Sequence, residues 1–314
     1  MIKQTLHFSS PAYLSLRSNQ LVIRLPEVEK NETLPDTFKE SSVTTRPIED
    51  IGLLILDHRQ ITVTHGLLTA LLENNVALIH CNDAHHPAGM MLNLDGHTLQ
   101  AQRFKAQIEA SEPLKKQLWQ QTVVAKIENQ AALLASRGKE VKKMEYLSRS
   151  VKSGDADNCE ARAAACYWSE LFSDYIPSFV RGREEAPPNN LLNYGYAILR
   201  AAVARALVGS GLLPTLGIFH RNQYNAYCLA DDIMEPYRPF VDKAVLTCIQ
   251  DGEDISGLSN GVKYQLLSVL SQDTLFDRER SPLMVGLTKT TASLSACFEG
   301  KRRKIIYPTL HATP

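Results

Sequence analysis

The chain has no surplus of charge of either sign. Its 314 residues hold 34 Lys plus Arg against 34 Asp plus Glu, so no global field draws it to nucleic acid, and any such attraction has to come from local patches. It also lacks long apolar runs: no stretch approaches the roughly 18 residues needed to cross a bilayer. The N-terminal MIKQTLHFSS has no basic flank followed by an apolar run, so no signal peptide is expected. Together these absences predict a cytoplasmic protein with no membrane association. The six cysteines form no CxxC pair and no regular framework, which reads as reduced thiols, mostly in the core. Gly and Pro are not in excess, so fibrous and disordered classes are excluded. A Walker A loop, a GxGxxG after a strand, a GxSxG elbow and HExxH are all missing, and nucleotide-cofactor and zinc-protease readings lose their main support.

What is present changes character near residue 97. Residues 2–25 are short β-rich bursts bounded by turn residues, starting from Ile2, Leu6 and Phe8, and predict strands and hairpins. The polar segment 26–47 has little periodicity and is expected to be a long connection. GLLILD at 52–57, ITVTH at 61–65 and VALIHC at 76–81 read as strands, LLTALLENN at 67–75 as a short helix and PAGMMLNL at 87–94 as a closing strand or hairpin. From Thr98 onward the segments are helical, with HTLQAQRFKAQIEA at 97–110 and PLKKQLWQQTVVAKIENQAALLASRG at 113–138, the latter stopped by Gly138, and further helices expected at about 140–152, 157–173, 190–208, 228–250, 261–273 and 284–299. The sequence therefore predicts an α+β protein, with a small N-terminal β-rich domain (1–97) followed by a larger all-α catalytic domain (98–314).

Chemistry-bearing residues crowd into LGIFHRNQYNAYCLADDIMEPYRP, 216–239, where His220 precedes Asp231, Asp232 and Glu235. On a helix starting near Cys228 the spacing lets all three acids share one face. An imidazole plus carboxylates suits Mn or Mg, provided a distant segment adds another carboxylate. SGDADNCEARAAACYWSELF, 153–172, offers one: Asp155, Asp157 or Asn158 can cap a helix whose first turns hold Glu160 among alanines. HCNDAHH at 80–86 has competent zinc ligands at no standard spacing, and a polar loop ending a strand is the better reading. Basic residues cluster at 137–152, including Lys142 and Lys143, and at KRRK 301–304, while Arg181, Arg183, Arg221 and Arg238 flank the proposed site. Such runs are commonly solvated faces, yet beside a hard-metal site they are what phosphodiester binding requires.

DNCEARAAACYW together with PPNNLLNYGYAILRAAVARALVGSGLLPTLGIFHRNQYNAYCLADDIMEPYRP resembles the CRISPR-associated protein one family, the integrase that inserts new spacers. The resemblance is strongest to members from systems with a single large RNA-guided effector nuclease. It implies a divalent metal, Mg2+ or Mn2+, on Glu160, His220 and Glu235, with Asp232 at a second acidic position that assists in some members. Phe219 stands where a second histidine or another residue is expected. The resemblance further implies metal-dependent DNA endonuclease and integrase activity, in which a prespacer 3′-hydroxyl attacks a repeat phosphodiester. Arg221, Arg238, Lys142 and Lys143 become candidates for contacts to double-stranded DNA. A homodimer that pairs with CRISPR-associated protein two is implied, and the effector nuclease is a further candidate partner. The rivals are a metal-dependent nuclease acting on branched or single-stranded DNA in repair, and a non-catalytic DNA-binding scaffold.

Overall fold

A computed structural model describes residues 3–310 other than 183 and 278, so Ile2 of the opening run and Arg183 lie outside the described residues. The chain forms two compact units, Met1–Gly96 and His97–Pro314.

The first unit is built on IGLLIL, strand β5, Ile51–Leu56, whose six residues are all buried. A continuous apolar run of this length suits a strand covered on both faces. It lies between β1 (Gln4–Phe8) and β7 (Ala77–Cys81), both parallel to it, and β8 (Pro87–Met91) adds antiparallel to β7. A second four-stranded sheet runs β4 (Thr44–Pro47), β3 (Gln20–Arg24), β2 (Ala12–Arg17), β6 (Ile61–Val63). Its β2–β3 hairpin turns through Ser18 and Asn19, both at positive φ, the backbone that a two-residue hairpin loop demands. Leu14, Leu21, Ile51, Leu54, Leu78 and helix α3 (His65–Glu73), through Leu67 and Leu71, share one apolar core. The segment 26–47 departs from expectation. It carries α1 (Pro26–Glu29), α2 (Asp36–Ser41) and β4 rather than an unstructured connection. Pro26 and Asp36 open those helices where the polar composition hides any apolar period.

The second unit is mostly helical: α4 (Gln100–Ile108), α5 (Glu112–Ser136), α6 (Lys142–Ser150), α7 (Cys159–Leu171), α8 (Asn189–Gly209), α9 (Cys228–Met234), α10 (Arg238–Gln250), α11 (Asn260–Ser268) and α12 (Leu283–Phe298). The 25-residue α5 starts on Ser111, whose hydroxyl accepts from the Leu114 amide, and stops before Gly138 at positive φ. It packs against α6, α7 and α10, while α8 packs against α9, α10, α11 and α12. By length and composition α8 is apolar enough to cross a membrane, but 83% of its most apolar window is buried inside the unit; it is a core helix.

Two expectations need correction. The unit is not all-α, because β9 (Asp273–Phe276), β10 (Glu279–Pro282) and β11 (Pro308–Thr309) form a three-stranded antiparallel sheet. Thr274 and Phe276 face inward at a period of two, a signal too short to separate from the end of the helix expected at 261–273. Nor is 228–250 one helix. It breaks into α9, a single 3-10 turn over Glu235–Tyr237 and α10, because Pro236 and Pro239 cannot donate to the ladder.

Candidate active site

Glu160 owes its position to the loop before α7. Gly154, Asp155 and Asn158 all adopt positive φ, a tight path that tucks the Asp155 side chain beneath the first turn of α7. Its carboxylate accepts from the Cys159 amide at 2.8 Å and the Glu160 amide at 3.0 Å. A charged acceptor here satisfies two orphan donors and meets the positive end of the helix dipole. Asp157, the other acid considered for the cap, pairs with Lys152 instead. The buried stripe of α7 is Cys159, Ala163, Tyr167 and Leu171, and Glu160 sits beside it with its side chain 22% exposed.

The break at Pro236 gives Glu235 a different setting from its two acidic neighbours. Its carboxylate is buried, with Oε1 held by Arg238 Nη2 at 2.9 Å. Asn129 of α5 donates to the Pro236 carbonyl at 2.7 Å and to the Pro308 carbonyl at 3.0 Å, and accepts from the Leu310 amide at 2.9 Å. The turn carrying Glu235 is thereby pinned to α5 and to the C-terminal segment. Asp231 does not share this face: it takes a paired contact from Arg200 Nε (2.6 Å) and Nη2 (3.1 Å) and a hydrogen bond from Asn225 at 2.7 Å.

Asp232 holds the histidine loop. Its Oδ2 accepts from the amides of Ile218 (2.7 Å) and Phe219 (2.9 Å), and its Oδ1 from the His220 amide (3.2 Å) and His220 Nδ1 (2.5 Å). The side chain is fully buried. Both oxygens are committed, and His220 Nε2 is left as the ring nitrogen free to bind something else. The Asp232 hydrogen bond, with Glu235 and Glu160 adding to it, raises the His220 pKa above its ordinary value despite partial burial. Gly217 is required for this approach, since a Cβ there would lie 2.4 Å from the His220 carbonyl oxygen and 2.8 Å from Asp232 Oδ2. Phe219 stacks on the buried Trp119 ring of α5 at 4.2 Å with planes 2° apart, and Trp119 meets His220 edge-on at 5.7 Å. An aromatic at position 219 thus clamps the loop, whatever its ligand capacity.

Between the two glutamates lies a residue the sequence reading passed over. Lys126 Nζ donates to Glu160 Oε1 at 2.6 Å and stands 2.6 Å from Glu235 Oε2, with the Lys126 side chain only 9% exposed. The second contact is ionic but misdirected as a hydrogen bond, so Glu235 Oε2 is a buried acceptor with no well-aimed donor. Burial works against the ammonium, but Glu235 and Glu160 outweigh it and raise the Lys126 pKa. Burial likewise opposes ionisation of Glu235, and Arg238 and Lys126 outweigh that too, holding its pKa below the ordinary carboxylate value. The charged forms of Lys126 and Glu235 are therefore each favoured by the other. Lys126 falls on the same stripe of α5 as Trp119 and Leu133, spaced by seven. A lysine on an otherwise core-facing stripe was the available signal.

The residues 6–256 match the family model described as CRISPR associated protein Cas1. The chain belongs to the Cas1 family. It is 38% identical over 262 residues, 83% of this chain and 85% of the relative, to the CRISPR-associated endonuclease Cas1 of Neisseria meningitidis serogroup C (strain 8013). The same fold occurs in a casposase bound to integration product, with a TM-score of 0.77 at 19% identity, covering all of this chain and 96% of that one. It occurs again in a Cas6-RT-Cas1–Cas2 complex, with a TM-score of 0.71 at 18% identity, covering 98% of this chain and 36% of that one.

Of the residues that family resemblance singles out, Glu160 and Glu235 meet at one ammonium, and both carboxylates add to the raised pKa of His220. Among the described residues no three His, Cys, Asp or Glu side chains converge as a ready-made metal cage. The donor set nevertheless suits a hard divalent ion: two carboxylates, one of them with a buried oxygen lacking an aimed donor, already gathered around a cation, and an imidazole whose other nitrogen is fixed. The basic candidates divide. Arg221 is exposed and paired with Glu112 at 2.5 Å, and Lys142 and Lys143 are exposed on α6. Arg238 is committed to Glu235 and stacks 4.9 Å over Tyr196, which keeps it from serving as a free contact to a DNA backbone. Arg181 is held by Asn189 and Asn193. The loop 80–86 is a hydrogen-bonded polar turn, in which Asn82 Oδ1 accepts from the Ala84 and His86 amides and His85 reaches Asp57 at 2.8 Å.

Proposed function

We propose that this chain is a divalent-metal-dependent DNA strand-transferase that inserts prespacer DNA at a CRISPR repeat, the adaptation step of antiviral defence. The observation that carries the reading is the convergence of Glu160 and Glu235, from segments 75 residues apart in sequence, on a single cation beside the oriented imidazole of His220. The names of the relatives, an endonuclease and an integration-product complex, support a nuclease or integrase role.

Glu160, Glu235 and His220 Nε2 would hold Mg2+ or Mn2+, which when bound supplies polarisation of a phosphodiester and neutralisation of charge developing on its oxygens. The chain's own residues do the rest. Asp232 occupies His220 Nδ1 and so leaves Nε2 as the nitrogen open to a ligand, and the stacking of Phe219 on Trp119 limits the loop's motion. Arg238 keeps Glu235 ionised and immobile. An open groove of about 480 Å³ adjoins His220, lined by the polar Lys115, Arg221, Asn222, Gln223 and Asn225 and by the apolar Ile108, Leu216, Ile218 and Phe298, and its polar part is where a DNA strand end would lie. In the reaction the prespacer 3′-oxygen forms a new bond to phosphorus as the repeat's own 3′-oxygen leaves in line and takes up a proton. One phosphodiester replaces another without an external energy source. Lys142 and Lys143 on the exposed face of α6 and Arg221 at the groove are the backbone contacts of this reading. A homodimer completes it together with a partner of the Cas2 kind, the latter supported by the Cas1–Cas2 composition of the structural relative.

The test is a strand-transfer assay with a prespacer duplex and a repeat-containing target, with and without the Cas2-type partner, in Mg2+, Mn2+ or EDTA. Glu160→Gln, Glu235→Gln and His220→Ala each abolish joining, and EDTA does the same. Joining that persists in these variants refutes the site. Metal-dependent cleavage of branched DNA that needs neither partner nor repeat supports a repair nuclease instead.

A further inference from the structure

We propose that Lys126 is the internal counter-ion of this site: it holds Glu160 and Glu235 within one cation's reach before a divalent ion arrives, and its displacement makes metal loading depend on bound DNA. The inference rests on the metal-site reading above and concerns a residue that reading does not use.

The geometry makes the ammonium and a divalent ion mutually exclusive. Lys126 Nζ is 2.6 Å from Glu160 Oε1 and 2.6 Å from Glu235 Oε2, and a divalent ion needs oxygens of those same two carboxylates at roughly 2.0–2.6 Å. Both cations cannot occupy one gap, and at such separations their repulsion is large in a site this sheltered. Without the ammonium, two carboxylates would face each other with only Arg238 on the far oxygen of one, and they would move apart. The lysine therefore keeps the site assembled and competes for it.

What happens to the displaced charge follows from the surroundings. The Lys126 Cα is fixed in the middle of the 25-residue α5, but its four-carbon stem is flexible, and an ammonium is a point charge that readily changes partners. Glu235 stays in place when the lysine leaves, because Arg238 keeps its Oε1 at 2.9 Å. Glu160 lies on the more exposed side, at 22% against 4% for Glu235, so the ammonium swings out past Glu160. There the ammonium, having lost both carboxylates, pairs with a new anion, and a DNA phosphate lying over the site supplies one. Metal and DNA consequently help each other to bind, and by linkage the help is reciprocal. A DNA-free chain is poorly loaded with metal and is kept from acting as a stray nuclease.

Mn2+ binding to the full chain, followed by calorimetry and by the EPR signal of free Mn2+, with and without a short random-sequence duplex, tests this. In the wild-type chain the duplex tightens Mn2+ binding at least about tenfold, a coupling of about 1.4 kcal/mol. In Lys126→Met, Mn2+ binds at least about tenfold more tightly than to wild type without DNA, and the duplex changes that affinity by less than about threefold. Lys126→Arg, which keeps the charge, behaves as wild type. Should Lys126→Met need metal to fold, the rise in its melting temperature with added Mn2+ exceeds the wild-type rise and reads the same quantity. A Lys126→Met chain with wild-type or weaker Mn2+ affinity, or an equal or smaller melting shift, overturns the inference. Glu160→Gln and His220→Ala in the same titration separate it from the reading beneath it. If they bind Mn2+ as wild type does, the metal site itself is misplaced; if they lose Mn2+ while Lys126→Met is unchanged, only the role of Lys126 falls.

Discussion

Asp232→Asn isolates the contribution of the carboxylate that organises the histidine loop. The side chain is fully buried and accepts four hydrogen bonds, from three consecutive amides and from His220 Nδ1. An asparagine of the same shape keeps one acceptor oxygen and turns an NH2 toward the other two donors. Two N–H groups in a closed environment then lose their partner, at about 1–3 kcal/mol each. A total near 3 kcal/mol is a large part of the stability of an ordinary domain, about 5–15 kcal/mol, and shifts the melting temperature by roughly 6–12 °C in a unit of this size. The loss has a pH signature. The folded pKa of His220 is raised above its unfolded value of 6.5, chiefly by Asp232, so the pairing contributes stability below about pH 6.5 that disappears as pH rises through the raised folded value. The gap between wild type and variant is therefore wider at pH 6 than at pH 9. Thermal unfolding by circular dichroism at both pH values is the assay. Glu160→Gln, at the edge of the site, serves as a control and loses much less. An Asp232→Asn chain that melts within about 2 °C of wild type at both pH values would refute the claim that this carboxylate organises the loop.

Further expectations concern the groups around that loop. Phe219→Ala removes a half-exposed ring stacked on Trp119 and costs only about 1 kcal/mol of stability, yet strand transfer falls at least about tenfold, because His220 loses its clamp; paired melting and joining assays read the two effects separately. Gly217→Ala drives a Cβ against the His220 carbonyl oxygen and Asp232, and the variant loses both stability and joining. Asn129→Ala, which frees the turn at Pro236, destabilises by about 3 kcal/mol and lowers joining because Glu235 loses its fixed position, as melting and strand-transfer assays on the same variant read. Asp242, buried beneath the hydroxyls of Tyr167 and Tyr196, has its pKa pushed up by burial to about 6. A raised carboxyl pKa favours folding below the unfolded value and withdraws that contribution as pH rises through about 6. Asp242→Asn accordingly flattens the fall in stability between pH 4 and pH 7, by about 3 kcal/mol over that range, as followed by urea unfolding at stepped pH.

The division into a β-rich part and a helical part was legible because β5 is an uninterrupted apolar run and α5 and α8 are long runs of helix-forming residues with no interior proline. The sheet of β9, β10 and β11 was not legible, since two four-residue strands and one of two residues carry too few alternations to outweigh a neighbouring helical pattern. Within the site, residue type and spacing brought forward Glu160, His220 and all three acids at 231, 232 and 235, and the family resemblance chose Glu160, His220 and Glu235 among them; spacing alone misjudged how the three acids divide their work. That division depends on Pro236 ending α9 and on what lies across from each side chain: Arg200 opposite Asp231, the amides of 218–220 opposite Asp232, Lys126 and Arg238 opposite Glu235. Partners contributed by distant segments leave no mark in local spacing. Lys126 is the sharpest case, because a lysine in a helix rich in lysine and glutamine reads as solvated unless its stripe is followed from Trp119 to Leu133. A charge on a buried stripe has to be answered by charges from elsewhere. Followed that way, Lys126 requires two acids in the fold opposite it, and the two glutamates singled out by the family motifs are the ones that answer.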